Sequence, residues 1–375
     1  MDGLGIYIHI PLCIKKCSYC DFCSYTDLNN DMFDAYTYEL CRRIKNFASG
    51  QHSKRCVETV YFGGGTPTLL PIRCFEKIMG TVYECFNIVP DAEITVECNP
   101  ASISFEGLSG LKALGINRLS IGMQSANDNE LRALGRVHTF KDLCDIYADS
   151  RRAGFHNISL DLMYGIPEQT PDSFENTLNE VCRLSPEHIS AYGLKIEDGT
   201  LFSKTRDSLI LPDEDEEYHM YSRCVEILEH NGYGRYEISN FSRPDRESRH
   251  NLRYWTLKDY IGFGVAAHSC VEGERFGNSR NIKAFIEGKD ITEERYAISE
   301  EERRREYVML GLRLERGIAL KEYRQRWGSD FKSDFPDTDR FIVGGFFKEK
   351  NGSVAFTTKG FFVSNSILSQ MLDFE

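Results

Sequence analysis

Cys13, Cys17 and Cys20 stand in the frame C-x3-C-x2-C directly behind the apolar run Gly5-Ile6-Tyr7-Ile8-His9-Ile10. A strand that ends in three thiols has the outline of a metal site. Structural zinc takes four protein ligands, as a rule in two paired knuckles. Three soft thiolates on one short loop suit three irons of a cubane cluster and leave the fourth iron open to a ligand. Free cysteines are common in cores but rarely take this spacing. A further cysteine, Cys23, lies three positions past Cys20 and falls outside the frame.

Other polar residues mark the same kind of position. In Phe62-Gly63-Gly64-Gly65-Thr66-Pro67 three glycines strip the side chains from one stretch of backbone, so that its carbonyl and N–H groups approach a ligand directly, or simply make a tight turn. Glu97 lies in Val96-Glu97-Cys98-Asn99-Pro100, where a carboxylate can accept hydrogen bonds from both hydroxyls of a ribose. Gln124 ends Ser120-Ile121-Gly122-Met123-Gln124, Arg136 follows in Leu134-Gly135-Arg136, and Asp161 sits in Leu160-Asp161-Leu162. Singly, each is more often a satisfied polar group at a strand end. Four at or just after successive strand ends form a set.

A later segment, His250-Asn251-Leu252-Arg253-Tyr254-Trp255, sets an imidazole beside large aromatic rings. That combination suits a heme, with His250 as axial donor and Tyr254 and Trp255 as apolar faces. It also suits, and from the residues alone more readily, a loop tied down by His250 and Asn251 around a core tryptophan. The residues alone leave both readings open.

These groups need elements to hold them. Runs rich in β-branched and aromatic residues recur at Gly5–Ile10, Glu58–Phe62, Glu93–Glu97, Arg118–Ile121, Asn157–Leu162 and Ile189–Leu194. Between them, Asn30–Phe47, Ser104–Leu114 and Pro171–Leu184 have helical periodicity. Strands alternating with helices predict a parallel βα architecture, with the polar motifs at the C-terminal strand ends where such folds place their sites. The stretch from Thr200 to Lys289 is less regular. The acidic run Asp213–Glu217 predicts a helix start, and Glu300–Glu306 an exposed helix with Glu and Arg three and four apart. Beyond it, helices at Arg303–Leu314 and Leu320–Trp327 and a hairpin between Phe346 and Thr357, turning at Asn351-Gly352, predict a winged-helix-like module. The division expected is a partial (βα)6 barrel over 1–200, a connecting, heme-associated region over 201–295, and the winged-helix-like domain over 296–375.

Composition narrows the class. A chain of 375 residues buries one large core and a smaller module, and a net charge of -12 argues against general nucleic-acid binding. No apolar run approaches the ~20 residues of a membrane span, and no basic-then-apolar leader opens the chain. The expected location is the cytoplasm, with peripheral membrane contact left open. Thirteen cysteines, an odd number scattered through periodic segments, suit a reducing compartment and not a disulfide framework.

Together these segments resemble the coproporphyrinogen dehydrogenase family of radical S-adenosylmethionine (SAM) proteins, and above all its heme-chaperone branch. The resemblance runs from Tyr7 through the C-terminal module. It implies that Cys13, Cys17 and Cys20 ligate a 4Fe-4S cluster, that Tyr19 lies against SAM, and that Tyr7, Gly64, Gly65, Thr66, Glu97, Gln124, Arg136 and Asp161 belong to the cofactor pocket. His250-Asn251-x-x-Tyr254-Trp255 matches the HNxxYW segment of the heme-chaperone branch and implies His250 as a heme contact. The true dehydrogenases carry a longer N-terminal arm and a further cysteine two positions after the third ligand, where this chain has Phe22. The function implied is binding heme and transferring it to an apo-protein. The alternatives are oxidative decarboxylation of coproporphyrinogen III to protoporphyrinogen IX, or radical chemistry on another substrate, with an electron donor as partner wherever SAM is cleaved.

Overall fold

The computed structural model describes residues 3–26, 29–49, 52 and 54–372. Strands β1 (Leu4–Ile10), β2 (Cys56–Gly64), β3 (Asn87–Cys98), β4 (Arg118–Gln124), β5 (Ile158–Tyr164) and β6 (His188–Gly193) pair in chain order, all parallel. Helices α1 (Asn30–Ala48), α2 (Ile72–Cys85), α3 (Phe105–Ala113), α4 (Asp128–Ala133), α5 (Phe140–Arg152) and α6 (Pro171–Leu184) lie between them. This is the partial barrel expected from the alternation, and each apolar run falls on its own strand.

The strands have two unlike faces, because side chains alternate at period two. One face carries Ile6, Ile8, Val60, Phe62, Ile94, Val96, Leu119, Ile121, Leu160 and Ile189, all buried in a single core with Leu40 and Ile44 of α1 and Phe75 and Ile78 of α2. Each aliphatic side chain so buried contributes about 1.5–3 kcal/mol, which fastens the helices to the outside of the barrel. The opposite face carries Tyr61, Glu97, Arg118, Ser120, Asp161, Ser190 and Tyr192, which line one interior cavity.

The stretch 201–295, irregular to sequence reading, supplies six short strands to the same sheet. After α7 (Leu201–Lys204) and α8 (Glu214–His230), β7 (Gly234–Arg235) and β8 (Asn240–Ser242) continue it antiparallel beyond β6. After α9 (Arg249–Trp255), β9 (Tyr260–Phe263) pairs parallel with β1, and β10 (His268–Val271), β11 (Glu274–Asn278) and β12 (Thr292–Ala297) follow antiparallel, giving twelve strands. The acidic run expected to open a helix does so: Asp213 and Glu216 close a capping box at the start of α8.

The C-terminal module follows α10 (Ile282–Ile286). It runs α11 (Glu300–Leu312), β13 (Ile318–Ala319), α12 (Leu320–Trp327), α13 (Phe331–Asp334), α14 (Thr338–Val343), β14 (Phe347–Lys350) and β15 (Ser353–Phe356), with the three strands in the order β13-β15-β14. This is the winged-helix-like arrangement, and its hairpin turns at Asn351 (φ 53°) and Gly352 (φ 76°), the paired positive angles that a two-residue turn of this hand demands. Glu315 joins module to barrel, taking Arg235 at 2.8 Å and also Lys348.

Candidate cofactor site

The cysteine loop leaves β1 and is pinned at several points. Cys13 N–H donates to Tyr25 O at 3.0 Å, Ser18 N–H to Leu134 O at 3.0 Å and Cys20 N–H to Cys17 O at 3.2 Å. The glycine loop at the end of β2 lies directly against it, with Gly65 N–H on Ile10 O at 2.9 Å and Thr66 N–H on Leu12 O at 2.6 Å. Two of these glycines are required by contact. A Cβ on Gly65 would stand 2.6 Å from Leu12 O, and one on Gly64, whose φ is +112°, would stand 2.5 Å from the His9 ring.

Cys13, Cys17, Cys20, Tyr19, Gly64, Gly65, Thr66, Glu97, Gln124, Arg136 and Asp161 all line one cavity of about 360 Å³ at the C-terminal ends of the strands. Glu97 accepts Tyr61 O–H at 2.9 Å on Oε1 and Gly64 N–H at 3.0 Å on Oε2, half of the roughly four acceptor positions of a carboxylate. Burial raises its pKa to about 7. Gln124 holds a positive φ of 64°, a strained value for a residue other than glycine, where β4 ends on the cavity. Arg136 spans the site, donating to Gly122 O at 3.0 Å and reaching Cys17 Sγ at 3.6 Å. Asp161 is already well bonded, accepting from Ser120 at 2.9 Å, Ser190 at 2.8 Å and Ser159 at 3.1 Å, and so ties β4, β5 and β6 together.

Two expected residues lie outside the cavity lining. Tyr7 stacks near Tyr61, centroids 6.2 Å apart, with its hydroxyl 3.0 Å from His9 Nδ1. His250 is 1% exposed, and both its ring nitrogens are engaged, Nδ1 with Thr59 Oγ1 and Nε2 with Tyr254 Oη, each at 2.8 Å. In this conformation neither nitrogen faces an open coordination site; an axial bond to iron requires Tyr254 to turn away. Burial, with Arg253 and Arg118 beside it, lowers the His250 pKa to about 3, so the ring is neutral. Its helix enters from the opposite end of the barrel. There Glu93 receives the N–H groups of Arg249 and His250 at 3.0 and 2.9 Å, a carboxylate at a helix N-terminus, and Asn251 reaches the cavity lining.

Sequence reading missed Arg118. It is 2% exposed, lines the cavity, and its Nε lacks a hydrogen-bond partner among the described residues; its charge is balanced by Glu93 and Asp161 nearby. The signal was present: Arg118, Ser120, Gly122 and Gln124 alternate along β4 on one face. Cys23 is 7% exposed, and its Sγ points to Arg280 O at 3.9 Å, outside the lining.

Whether the donors fit a cluster is a question of chemistry and spread. Among the described residues no group of three or more His, Cys, Asp or Glu side chains is gathered closely enough for a single metal ion. The three thiols instead share the wall of one cavity, and a cluster takes one thiolate per iron. Burial raises the Cys13 and Cys20 thiols above the ordinary value, so both are protonated until a metal displaces the proton.

Residues 7–181 match the Radical SAM superfamily and residues 298–363 the HemN C-terminal domain. The heme chaperone HemW of Bacillus subtilis (strain 168) is 34% identical over 98% of both chains. The chain belongs to the HemW family of radical SAM proteins. HemW of Escherichia coli (strain K12) is 31% identical over 99% of each chain, and HemW of Synechocystis is 38% identical over 83% of this chain and 78% of its own. A solved structure of the radical SAM enzyme coproporphyrinogen III oxidase (HemN) from Escherichia coli superposes with a TM-score of 0.85 at 25% identity, covering 99% of this chain and 90% of that one. The likeness to HemN thus extends past the barrel to the C-terminal module. Among the described residues no helix is long and apolar enough to cross a membrane.

Proposed function

We propose that this protein holds a 4Fe-4S cluster on Cys13, Cys17 and Cys20 with SAM beside it, binds heme, and delivers the heme to an apo-protein. The observation that carries this reading is end-to-end similarity to proteins named heme chaperone HemW, 34% identity over 98% of both chains. The cavity supports the cofactor part. When bound, the cluster supplies an open iron able to chelate the amino and carboxylate groups of SAM. Glu97 keeps two acceptor positions for the ribose hydroxyls, the glycine loop offers bare backbone, and Arg136 sets a cation next to Cys17. Thirteen cysteines without a disulfide suit the reducing cytoplasm.

A second reading, oxidative decarboxylation of coproporphyrinogen III with an electron donor as partner, draws on the TM-score of 0.85 to HemN. Anaerobically reconstituted protein offered heme and, separately, coproporphyrinogen III with SAM and a reductant separates the two. Heme uptake at one per chain without porphyrin product is expected. Protoporphyrinogen formation overturns the chaperone reading.

A further inference from the structure

Gln124 ends β4 with a φ of 64°, and a residue so strained persists only where its surroundings over-determine it. What fixes it lies behind the strand end, outside the cofactor cavity. Ser125, the next residue, is fully buried. Its Oγ–H donates to Glu130 Oε2 at 2.6 Å and the same Oγ accepts Asn127 N–H at 2.8 Å, while Ala126 N–H donates to Thr177 Oγ1 at 3.2 Å.

Glu130 is the hub of this turn. It is 4% exposed and takes no part in the cavity lining. Besides Ser125 it accepts Gln169 Nε2–H at 3.0 Å and the Ser173 hydroxyl. All three donors are neutral side chains, and they come from three segments: the end of β4, the loop after β5 and the first turn of α6. Burying a carboxylate is costly unless its oxygens are bonded, and these are bonded without a cation. Gln169 carries the network on to the cavity wall, donating to Met163 O at 3.4 Å while its Oε1 accepts Ile166 N–H at 3.2 Å.

Helix α4 has anchors of its own. Leu131 and Leu134 are buried, Asn127 caps the helix through Asn129 N–H at 2.9 Å, and Asp128 accepts Phe140 N–H at 2.8 Å. A carboxylate is therefore not needed at position 130 to seat the helix. We infer that Glu130 is a positioning residue for the SAM pocket: through Ser125 it holds the turn that keeps Gln124 in the cavity wall, without itself touching the ligand. The inference rests on the reading of this cavity as a SAM site and names what holds one part of its wall.

The test titrates SAM calorimetrically into cluster-loaded protein, with iron and sulfide assayed on the same samples. Glu130→Ala is expected to keep the wild-type cluster content and to bind SAM about tenfold more weakly. Glu130→Gln, whose oxygen can still face Ser125 and Gln169 while its amide meets the rotatable Ser173 hydroxyl, should regain most of that affinity. Gln124→Gly decides the route. Glycine takes a positive φ without strain, and with the side chain gone Glu130 has nothing left to hold. Gln124→Gly alone should bind SAM about tenfold more weakly, and adding Glu130→Ala should weaken it no further. Wild-type affinity in Glu130→Ala or in Gln124→Gly overturns the inference, as do two losses that add in full. Should Glu130→Ala not fold, Ser125→Ala, which removes only the bond to the turn, carries the same expectations and the same refutations. Wild-type protein that binds no SAM once its cluster is loaded fails the cofactor reading itself, a separate result.

Discussion

Glu97 is a carboxylate whose charge the protein sets by depth. Burial outweighs the Tyr61 and Gly64 hydrogen bonds and holds its pKa at about 7 in the free protein. Only the ionised form serves two ribose hydroxyls fully as acceptor. SAM affinity should therefore rise about tenfold from pH 6 to pH 8 and level off above, whereas Glu97→Gln should bind weakly at every pH, about tenfold to a hundredfold below the plateau. Calorimetric titration across that range reads both, and a flat wild-type profile would assign the ribose to another acceptor. The cysteines give a second expectation at this scale. Replacing Cys13, Cys17 or Cys20 by Ala should abolish cluster reconstitution, while Cys23→Ala, whose thiol turns toward Arg280 O, should retain it, judged by iron and sulfide content. The cysteine frame was legible because a ligand loop is local in sequence. Arg118, at the start of β4, carried only the alternation it shares with Ser120, Gly122 and Gln124, and its role emerges once the other strands bring their polar faces round to meet it.

At the scale of elements, the cysteine and glycine loops behave as one unit, joined by Gly65 N–H to Ile10 O and Thr66 N–H to Leu12 O. Gly65→Ala should push its Cβ against Leu12 O and displace the cysteine loop, so cluster loading should fall although every ligand is intact; iron content and the visible spectrum would show it. Loading equal to the wild type would mean that the loops move independently. The six barrel strands were readable from their length and β-branched content. Strands β7 to β12, two to six residues each, were too short to show a period, and their partners lie far away in sequence. For His250 the sequence disclosed the chemical type and not the surroundings: helical spacing brings Tyr254, four residues on, over the ring and closes it.

For the whole molecule, buried titratable groups shape the response to pH with opposite signs. His9 and His138 are lowered to about 4, and His250 to about 3, chiefly by burial. Their unfolded forms take up protons near 6.5, so the stability they contribute is present above about 6.5 and is lost as pH falls through 4. Glu97 and Glu237, both raised to about 7 by burial, act the other way, stabilising below about 4.5 and giving that up as pH rises through 7. His188, also lowered by burial, makes four such histidines against the four raised carboxylates Glu97, Asp161, Glu217 and Glu237. The capping carboxylates Asp142 and Glu302, held low by hydrogen bonds, side with the histidines. The melting temperature of the cluster-free protein should therefore drop as pH falls from 6.5 to 4. Replacing His138 by a neutral isostere such as Gln should shallow the drop; an unchanged slope would place the proton uptake elsewhere. The placement of α9 has one more consequence. One helix is a partition between two chambers, the cofactor cavity on the side of Asn251 and a second of about 870 Å³ on the side of Leu252 and Arg253. A ligand that shifts this partition alters both chambers at once, and thermodynamic reciprocity makes the two affinities change by the same factor. Filling one chamber is then a message to the other, carried by a single turn of helix.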